Sequence, residues 1–127
     1  MDEVVLKLLK GATRVFECLG AGHTESVYEN ALEVELQDMG LKYGRQVVKE
    51  LTYRGQTVGS IRADLVVYVP SGGVVVELKA TEGSNSGQTV ATRQIGSYAK
   101  CFGQTFSGLL INFNQRTASL DHSLHSF

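Results

Sequence analysis

The first forty residues alternate apolar and polar positions with the period of an α-helix. Apolar residues recur at helical spacing through the first segment, which predicts an amphipathic helix over residues 3–18. A glycine-containing turn interrupts this pattern, and a second helix is predicted over residues 24–39. Thr24 is a suitable N-cap residue for that helix, and Gly40 is a suitable residue to end it.

The pattern then changes to one typical of β-strands. The stretch that follows is rich in Val, Tyr, Thr and Leu, and turn signals stand at "RGQ" and "PSGG". We predict three strands, near residues 46–53, 57–69 and 73–80. The turns between them are short, which favours an antiparallel meander.

The last third of the chain returns to helix and then strand. Residues 88–102 predict a third helix, and "FSGLLINF" predicts a fourth strand. The final segment predicts one short extra strand and then a tail. The order α-α-β-β-β-α-β indicates an α/β fold, or α+β with a mixed sheet, in which helices flank the central sheet. We predict one domain over residues 1–114 and a C-terminal extension over residues 115–127.

Composition narrows the class of protein. A chain of 127 residues with 43% hydrophobic residues is long enough for one core without disulfides, so Cys18 and Cys101 are expected to be free thiols. It has no apolar run of about 18 residues and no signal peptide, which predicts a soluble intracellular protein, cytoplasmic or nuclear, without a membrane partner. The net charge of −1 argues against a non-specific nucleic-acid binder. A local basic groove would still serve a nucleic-acid enzyme.

The stretch "SGGVVVELKATE" places charged residues at the end of a predicted buried strand. Because side chains of a strand alternate between faces, Glu77 and Lys79 point to the same side as Val75. The preceding strand carries Asp64 within "IRADLVVYV". Adjacent antiparallel strands can bring Asp64 beside Glu77, which would place two carboxylates and an ammonium on one face.

Such a group of charges is costly to bury unless something offsets it. Mg²⁺ prefers oxygen ligands and often takes one or two protein carboxylates with several waters. A nearby lysine can hold or activate the attacking water, or neutralise developing negative charge. The set therefore suits metal-assisted phosphodiester hydrolysis. The alternative is an exposed ion pair between Glu77 and Lys79, with Asp64 capping a turn or pairing with Arg62.

These residues resemble a known superfamily. Asp64 followed by Glu77-Leu78-Lys79 is similar to the motif of the PD-(D/E)XK nuclease superfamily, although "RAD" stands where that superfamily often has Pro-Asp. The segment "GHTESVYENALEVEL" resembles the GxxExxY family within it, and "RADLVV", "VVELKA" and "GLLINF" resemble later blocks. The resemblance extends from about Leu19 to Asn114 and implies a restriction-endonuclease-like core.

The resemblance also implies roles for individual residues. Asp64 and Glu77 would be metal ligands for Mg²⁺, which Mn²⁺ can replace, and the backbone carbonyl of Leu78 would add another oxygen. Lys79 would be the catalytic lysine. Glu25 would be the helix acid that reaches the metal or its water. An acid in the first turn of a helix is also favoured by the helix dipole alone.

The third predicted helix adds further candidates. Gln94 and Tyr98 are four residues apart and therefore share one helical face. They resemble the Gln-x-x-x-Tyr element of RecB-like and lambda-exonuclease-like branches, where the glutamine would orient the lysine or contact a phosphate. The alternative is a polar edge beside a core aromatic. Our candidate nucleic-acid contacts are Arg62, Arg93, Tyr98 and Lys100.

We therefore expect a metal-dependent nuclease acting on nucleic acid, with DNA favoured over RNA. The alternative is an inactive nuclease-fold subunit that binds nucleic acid or another protein. Small nucleases often act as homodimers, so a homodimer is one expectation for this chain. The nuclease function requires Asp64, Glu77 and Lys79 to converge in a groove, and the alternative function does not.

Overall fold

The protein is described by a computed structural model that covers the backbone of residues 2–83 and 85–126 and the side chains of residues 3–83 and 90–126. Three helices and five strands follow one another in this part of the chain. They are α1 (Asp2–Leu19), α2 (Glu25–Asp38), β1 (Lys42–Tyr53), β2 (Gln56–Val69), β3 (Gly72–Lys79), α3 (Asn85–Phe102), β4 (Phe106–Phe113) and β5 (Leu120–His125). Among the helices described, none combines the length and apolar character needed to cross a membrane.

The C-terminal end of α2 is closed at Gly40, as the sequence predicts. Gly40 has a φ of +68°, a conformation that glycine adopts at low cost. The N–H of Leu41 donates to the Leu36 carbonyl at 3.1 Å, which closes the helix in a Schellman-type turn. Thr24 occupies the predicted N-cap position, but its hydroxyl lies 3.1 Å from the Ser26 hydroxyl and makes no capping hydrogen bond to a backbone N–H.

The sheet is mixed, as the sequence predicts. Its order is β1-β2-β3-β4-β5, and every neighbouring pair is antiparallel except β3 and β4. The parallel pair requires a crossover, which α3 supplies. The segment with the predicted short extra strand forms β5, which pairs with β4 at one edge of the sheet.

Helices cover both faces of the sheet, which makes two cores. One face, here called the α1/α2 face, buries side chains of α1 and α2 against apolar residues of the sheet. The other, here called the α3 face, packs α3 against the alternate residues of the same strands. The fully buried residues of the α3 face are Ala63, Val66, Val75, Ile95 and Ala99.

Candidate active site

Strands β2 and β3 stop pairing where the two acidic residues stand. Their ladder ends at the pair of Leu65 and Val76. Beyond it, the N–H of Leu78 donates to Asp64 Oδ2 at 2.8 Å, and the N–H of Asp64 donates to Glu77 Oε1 at 3.1 Å. The two carboxylates thus replace the backbone ladder, and we call Asp64 and Glu77 the acidic fork. The parting strands hold both side chains in place through backbone donors.

The environment of the acidic fork disfavours two negative charges. Burial, and then the charge of Asp64, raise the pKa of Glu77 from 4.5 to about 8. The hydrogen bond from the backbone N–H of Asp64 and the charge of Lys79 act in the opposite direction. At neutral pH, the Glu77 carboxyl therefore holds a proton in the absence of another positive charge. A bound cation would relieve the same repulsion.

Lys79 lies two residues beyond Glu77, at the end of β3. Both side chains are half-buried, while Leu78 between them is buried in the opposite core. Of the ion pairs formed by described residues, none joins Glu77 to Lys79 and none joins Asp64 to Arg62. The simple ion-pair alternative is therefore wrong.

A buried asparagine fixes the chain just after the lysine. Asn112 of β4 is the register partner of Lys79. Its Oδ1 accepts hydrogen bonds from the Thr81 N–H at 3.0 Å and the Thr81 hydroxyl at 3.2 Å. These bonds anchor the chain that leaves β3 and restrict where the lysine side chain begins.

A third acid, Glu29, is linked to the acidic fork through a glutamine. Gln46 has a φ of +53°, which interrupts the pairing of β1 with β2 beside Asp64. Its Nε2 donates to the two carboxylate oxygens of Glu29 at 3.0 and 3.1 Å, and lies 3.5 Å from Asp64 Oδ1. The Glu29 side chain is buried and forms an ion pair with Arg45, which compensates its charge.

The predicted helix acid and the acid in this network are different residues. Glu25 begins α2, is exposed, and makes no hydrogen bond or ion pair with the residues that the structure describes. Sequence reasoning missed Glu29, which lies one turn later and follows Tyr28 directly in "GHTESVYE". That four-residue spacing was the available signal. Nothing in the sequence pointed to Gln46, because its left-handed backbone conformation is rare outside glycine.

Helix α3 presents one of its candidates to the acidic fork. The Tyr98 ring packs against the core of the α3 face, and burial, followed by the negative charges of Glu77 and Asp64, raises the pKa of its hydroxyl. Gln94 lies one helical turn earlier and is exposed, with no hydrogen bond to the described residues. Its predicted role depends on a ligand that it would contact.

The basic candidates are dispersed. Arg93 and Lys100 line a groove on α3 together with His125 of β5. Tyr98 instead packs against the core of the α3 face, so it occupies a different flank of the helix from Arg93 and Lys100. Arg62 is exposed on β2, two residues before the acidic fork. The structure therefore does not gather the predicted nucleic-acid contacts at one place.

The acidic fork offers oxygen ligands that fit a divalent cation. Within the described residues, no cluster of three or more His, Cys, Asp or Glu side chains is arranged to hold a metal. One oxygen of each carboxylate accepts a hydrogen bond from a backbone N–H. Asp64 Oδ1 lies 3.5 Å from Gln46 Nε2, and a hydrogen bond between the Asp64 and Glu77 side chains favours the protonated form of Glu77. Two carboxylates with remaining water ligands are a common Mg²⁺ arrangement, so the donor set fits this ion.

Fold and site together define a class of protein. A model of the PD-(D/E)XK nuclease superfamily matches residues 2–123, and the chain belongs to this superfamily. Its mixed sheet between helices fits the restriction-endonuclease-like fold. No curated protein matches the sequence.

One solved structure that is similar carries the description "Crystal structure of SSO0001". It is 19% identical, with a TM-score of 0.56, and the match covers 80% of this chain and 50% of that one. At this level of identity the likeness shows the fold alone. The present chain thus spans about half the length of that solved protein.

Proposed function

We propose that this protein is a metal-dependent nuclease that hydrolyses phosphodiester bonds of nucleic acid, DNA in preference to RNA. The observation that supports this most is the acidic fork. Two carboxylates are held together by backbone donors where β2 and β3 part, and Lys79 follows two residues later. An arrangement that raises the pKa of Glu77 to about 8 is poor for stability but suits a cation site.

In this proposal the chain binds Mg²⁺, or Mn²⁺ in its place, through Asp64, Glu77 and the Leu78 carbonyl. The chemistry that such a cation supplies when bound is Lewis-acid polarisation of the scissile phosphate. The Lys79 ammonium orients the attacking water and offsets the negative charge that develops on the phosphate oxygens. Asn112 holds the chain after β3 and so keeps Lys79 in position.

The helices supply supporting roles. Glu25 completes the acidic site from the start of α2, and Gln94 orients the lysine or contacts a phosphate from α3. Glu29 is a positioning residue, because it holds Gln46 beside Asp64. Membership of the GxxExxY family, an intracellular location and a homodimer belong to the same proposal, since each is an expectation from the sequence.

The test is cleavage of labelled single- and double-stranded DNA and RNA with Mg²⁺, Mn²⁺ or EDTA. We compare wild type with Lys79→Ala and with Lys49→Ala, a matched control at an exposed lysine of β1. Wild type and the control should cut with either metal and stop with EDTA, and Lys79→Ala should not cut. Cleavage by Lys79→Ala at the wild-type rate would refute the assigned role of this lysine.

A second candidate function is an inactive nuclease-fold protein that binds nucleic acid or another protein. The observation in its favour is that the described residues form no three-acid metal cluster, and that Arg45 already compensates Glu29. This alternative predicts that wild type binds the labelled substrates equally well with or without metal and cuts none of them.

A further inference from the structure

A groove of about 280 Å³ lies between α3 and β5, and we call it the α3–β5 groove. Two permanent cations, a histidine and a hydroxyl line it. None of the described residues that line it carries a carboxyl group. These lining residues are Arg93, Gly96, Ser97, Lys100 and His125.

A glycine of α3 lets the helix pack closely against the edge strand β5, and the groove lies between them. Arg93, Ser97 and Lys100 follow at intervals of four and three residues, so they share one side of α3. At Gly96, an added Cβ would lie 2.9 Å from Nδ1 of His125, closer than packing allows. The absence of a side chain at this position lets the His125 ring lie against the helix. The basic side chains thus stand over a floor formed by β5.

The α3–β5 groove and the acidic fork lie on the same face of the sheet, with α3 between them. Ile95 and Ala99 are buried beneath the helix, and Tyr98 on one flank packs against the core that includes Ala63, the residue before Asp64. Arg93 and Lys100 occupy the other flank. The width of a helix with its side chains, about 10–12 Å, separates the two places. A bound strand could therefore contact both by crossing α3.

We propose that the α3–β5 groove binds backbone phosphates of a nucleic-acid strand, as a contact site separate from the site of cleavage. The inference rests on the proposed nuclease function for the identity of its ligand. The chain as a whole has a net charge of −1, whereas Arg93 and Lys100 bring two permanent positive charges to this groove. Arginine binds phosphate with paired hydrogen bonds, and lysine, hydroxyl and imidazole groups add donors. Phosphate contacts of this kind supply affinity rather than sequence recognition.

The experiment measures binding without cleavage. All variants carry Lys79→Ala and are kept in EDTA, and fluorescence anisotropy reports binding of labelled single- and double-stranded DNA over a series of salt concentrations. Arg93→Ala with Lys100→Ala is compared with Lys7→Ala with Lys10→Ala, which removes the same charge from exposed lysines of α1 on the opposite face.

Each phosphate contact contributes about 0.9 to the slope of log affinity against log salt for a duplex, and about 0.7 for a single strand. In the variant Arg93→Ala with Lys100→Ala, the magnitude of this slope should therefore fall by the contribution of about two contacts. This variant should also bind about ten- to a hundredfold more weakly at low salt. The α1 control should retain the slope of the parent. Equal slopes in the two double variants would overturn the proposal.

Two further measurements separate the sources of phosphate and the effect of charge. Gly96→Ala leaves the net charge unchanged but forces the His125 ring away, so it should weaken DNA binding while the folded state persists by circular dichroism.

A nucleoside monophosphate should compete with DNA far less well than an oligonucleotide at equal phosphate concentration. If the mononucleotide competes equally, the groove is a mononucleotide site and the strand proposal is wrong. Because no step needs cleavage, an absence of nuclease activity would leave this result interpretable.

Discussion

Asp64 has two opposing effects on the stability of the metal-free protein, and two substitutions separate them. Its carboxylate accepts the N–H of Leu78, a residue that is only 1% exposed. Its negative charge also opposes ionisation of Glu77. Asp64→Asn keeps an acceptor for the Leu78 N–H and removes the charge. Asp64→Ala removes both.

The pH dependence follows from the pKa of Glu77. Because this pKa is raised from 4.5 to about 8, the folded protein holds a proton between these values that the unfolded chain releases. The free energy of unfolding of wild type should therefore fall as pH rises from about 5 to about 8, and then level off. Removing the charge at Asp64 lowers the pKa of Glu77, so the fall should end at a lower pH.

The sizes of the two effects decide whether Asp64→Asn is more or less stable than wild type at each pH. Two like charges about 4 Å apart near a protein surface repel by about 4 kcal/mol, and partial solvent exposure reduces this to about 2 kcal/mol. At pH 9 this gain exceeds the loss of about 1 kcal/mol from a weaker acceptor for the Leu78 N–H, so Asp64→Asn should be more stable than wild type by about 1 kcal/mol. At pH 6 it should be less stable by about 1 kcal/mol, because a neutral acceptor bonds Leu78 less strongly. Asp64→Ala should lie about 1–3 kcal/mol below Asp64→Asn at both pH values.

The assay is urea unfolding of the three proteins in EDTA, followed by circular dichroism at pH 6 and pH 9. The contact of Gln46 with Asp64 is 3.5 Å long and should change the result little. The reasoning would be refuted if Asp64→Asn were less stable than wild type at pH 9, or if the two variants were equally stable.

Two further predictions concern the supporting structure. Tyr28→Phe removes the hydroxyl that donates to a backbone carbonyl at 2.8 Å, and should lower the free energy of urea unfolding by about 1 kcal/mol. An unchanged midpoint would show that this hydrogen bond contributes nothing. Glu29→Ala leaves Arg45 with one partner fewer and should cost about 1–3 kcal/mol in the same assay. Glu25→Ala is the matched control on the same helix and should cost less, at most the roughly 0.3–1 kcal/mol of its interaction with the helix dipole; equal losses in the two variants would contradict the assigned packing.

The elements of the fold could be predicted because each has a local signal. The valines of β3 predict a buried strand, and Gly40 stands where α2 ends with a positive φ. Glu77 and Lys79 could be placed on the same side of the sheet as Val75 from the alternation of strand side chains. The parallel pairing of β3 with β4 follows once a helix is seen to connect them.

The details of the site depend on contacts between distant parts of the chain. The bond between the Asp64 carboxylate and the Leu78 N–H exists because two strands part, and alternation alone does not say where strands part. Gln46 contacts Glu29 from a left-handed backbone conformation, which helix and strand propensities do not predict. The α3–β5 groove arises because an edge strand from the end of the chain packs on α3, which spacing within the helix cannot show.

The most direct test of the account is the metal-dependent cleavage rate of Glu77→Gln beside that of Glu82→Gln, an exposed glutamate in the loop after β3. Glu82→Gln should cut DNA like wild type. Glu77→Gln should be slower by about a thousandfold or more, because loss of a metal ligand removes several kcal/mol of transition-state stabilisation. Cleavage by Glu77→Gln at the wild-type rate, or no cleavage by folded wild type on DNA or RNA with either metal, would contradict the account.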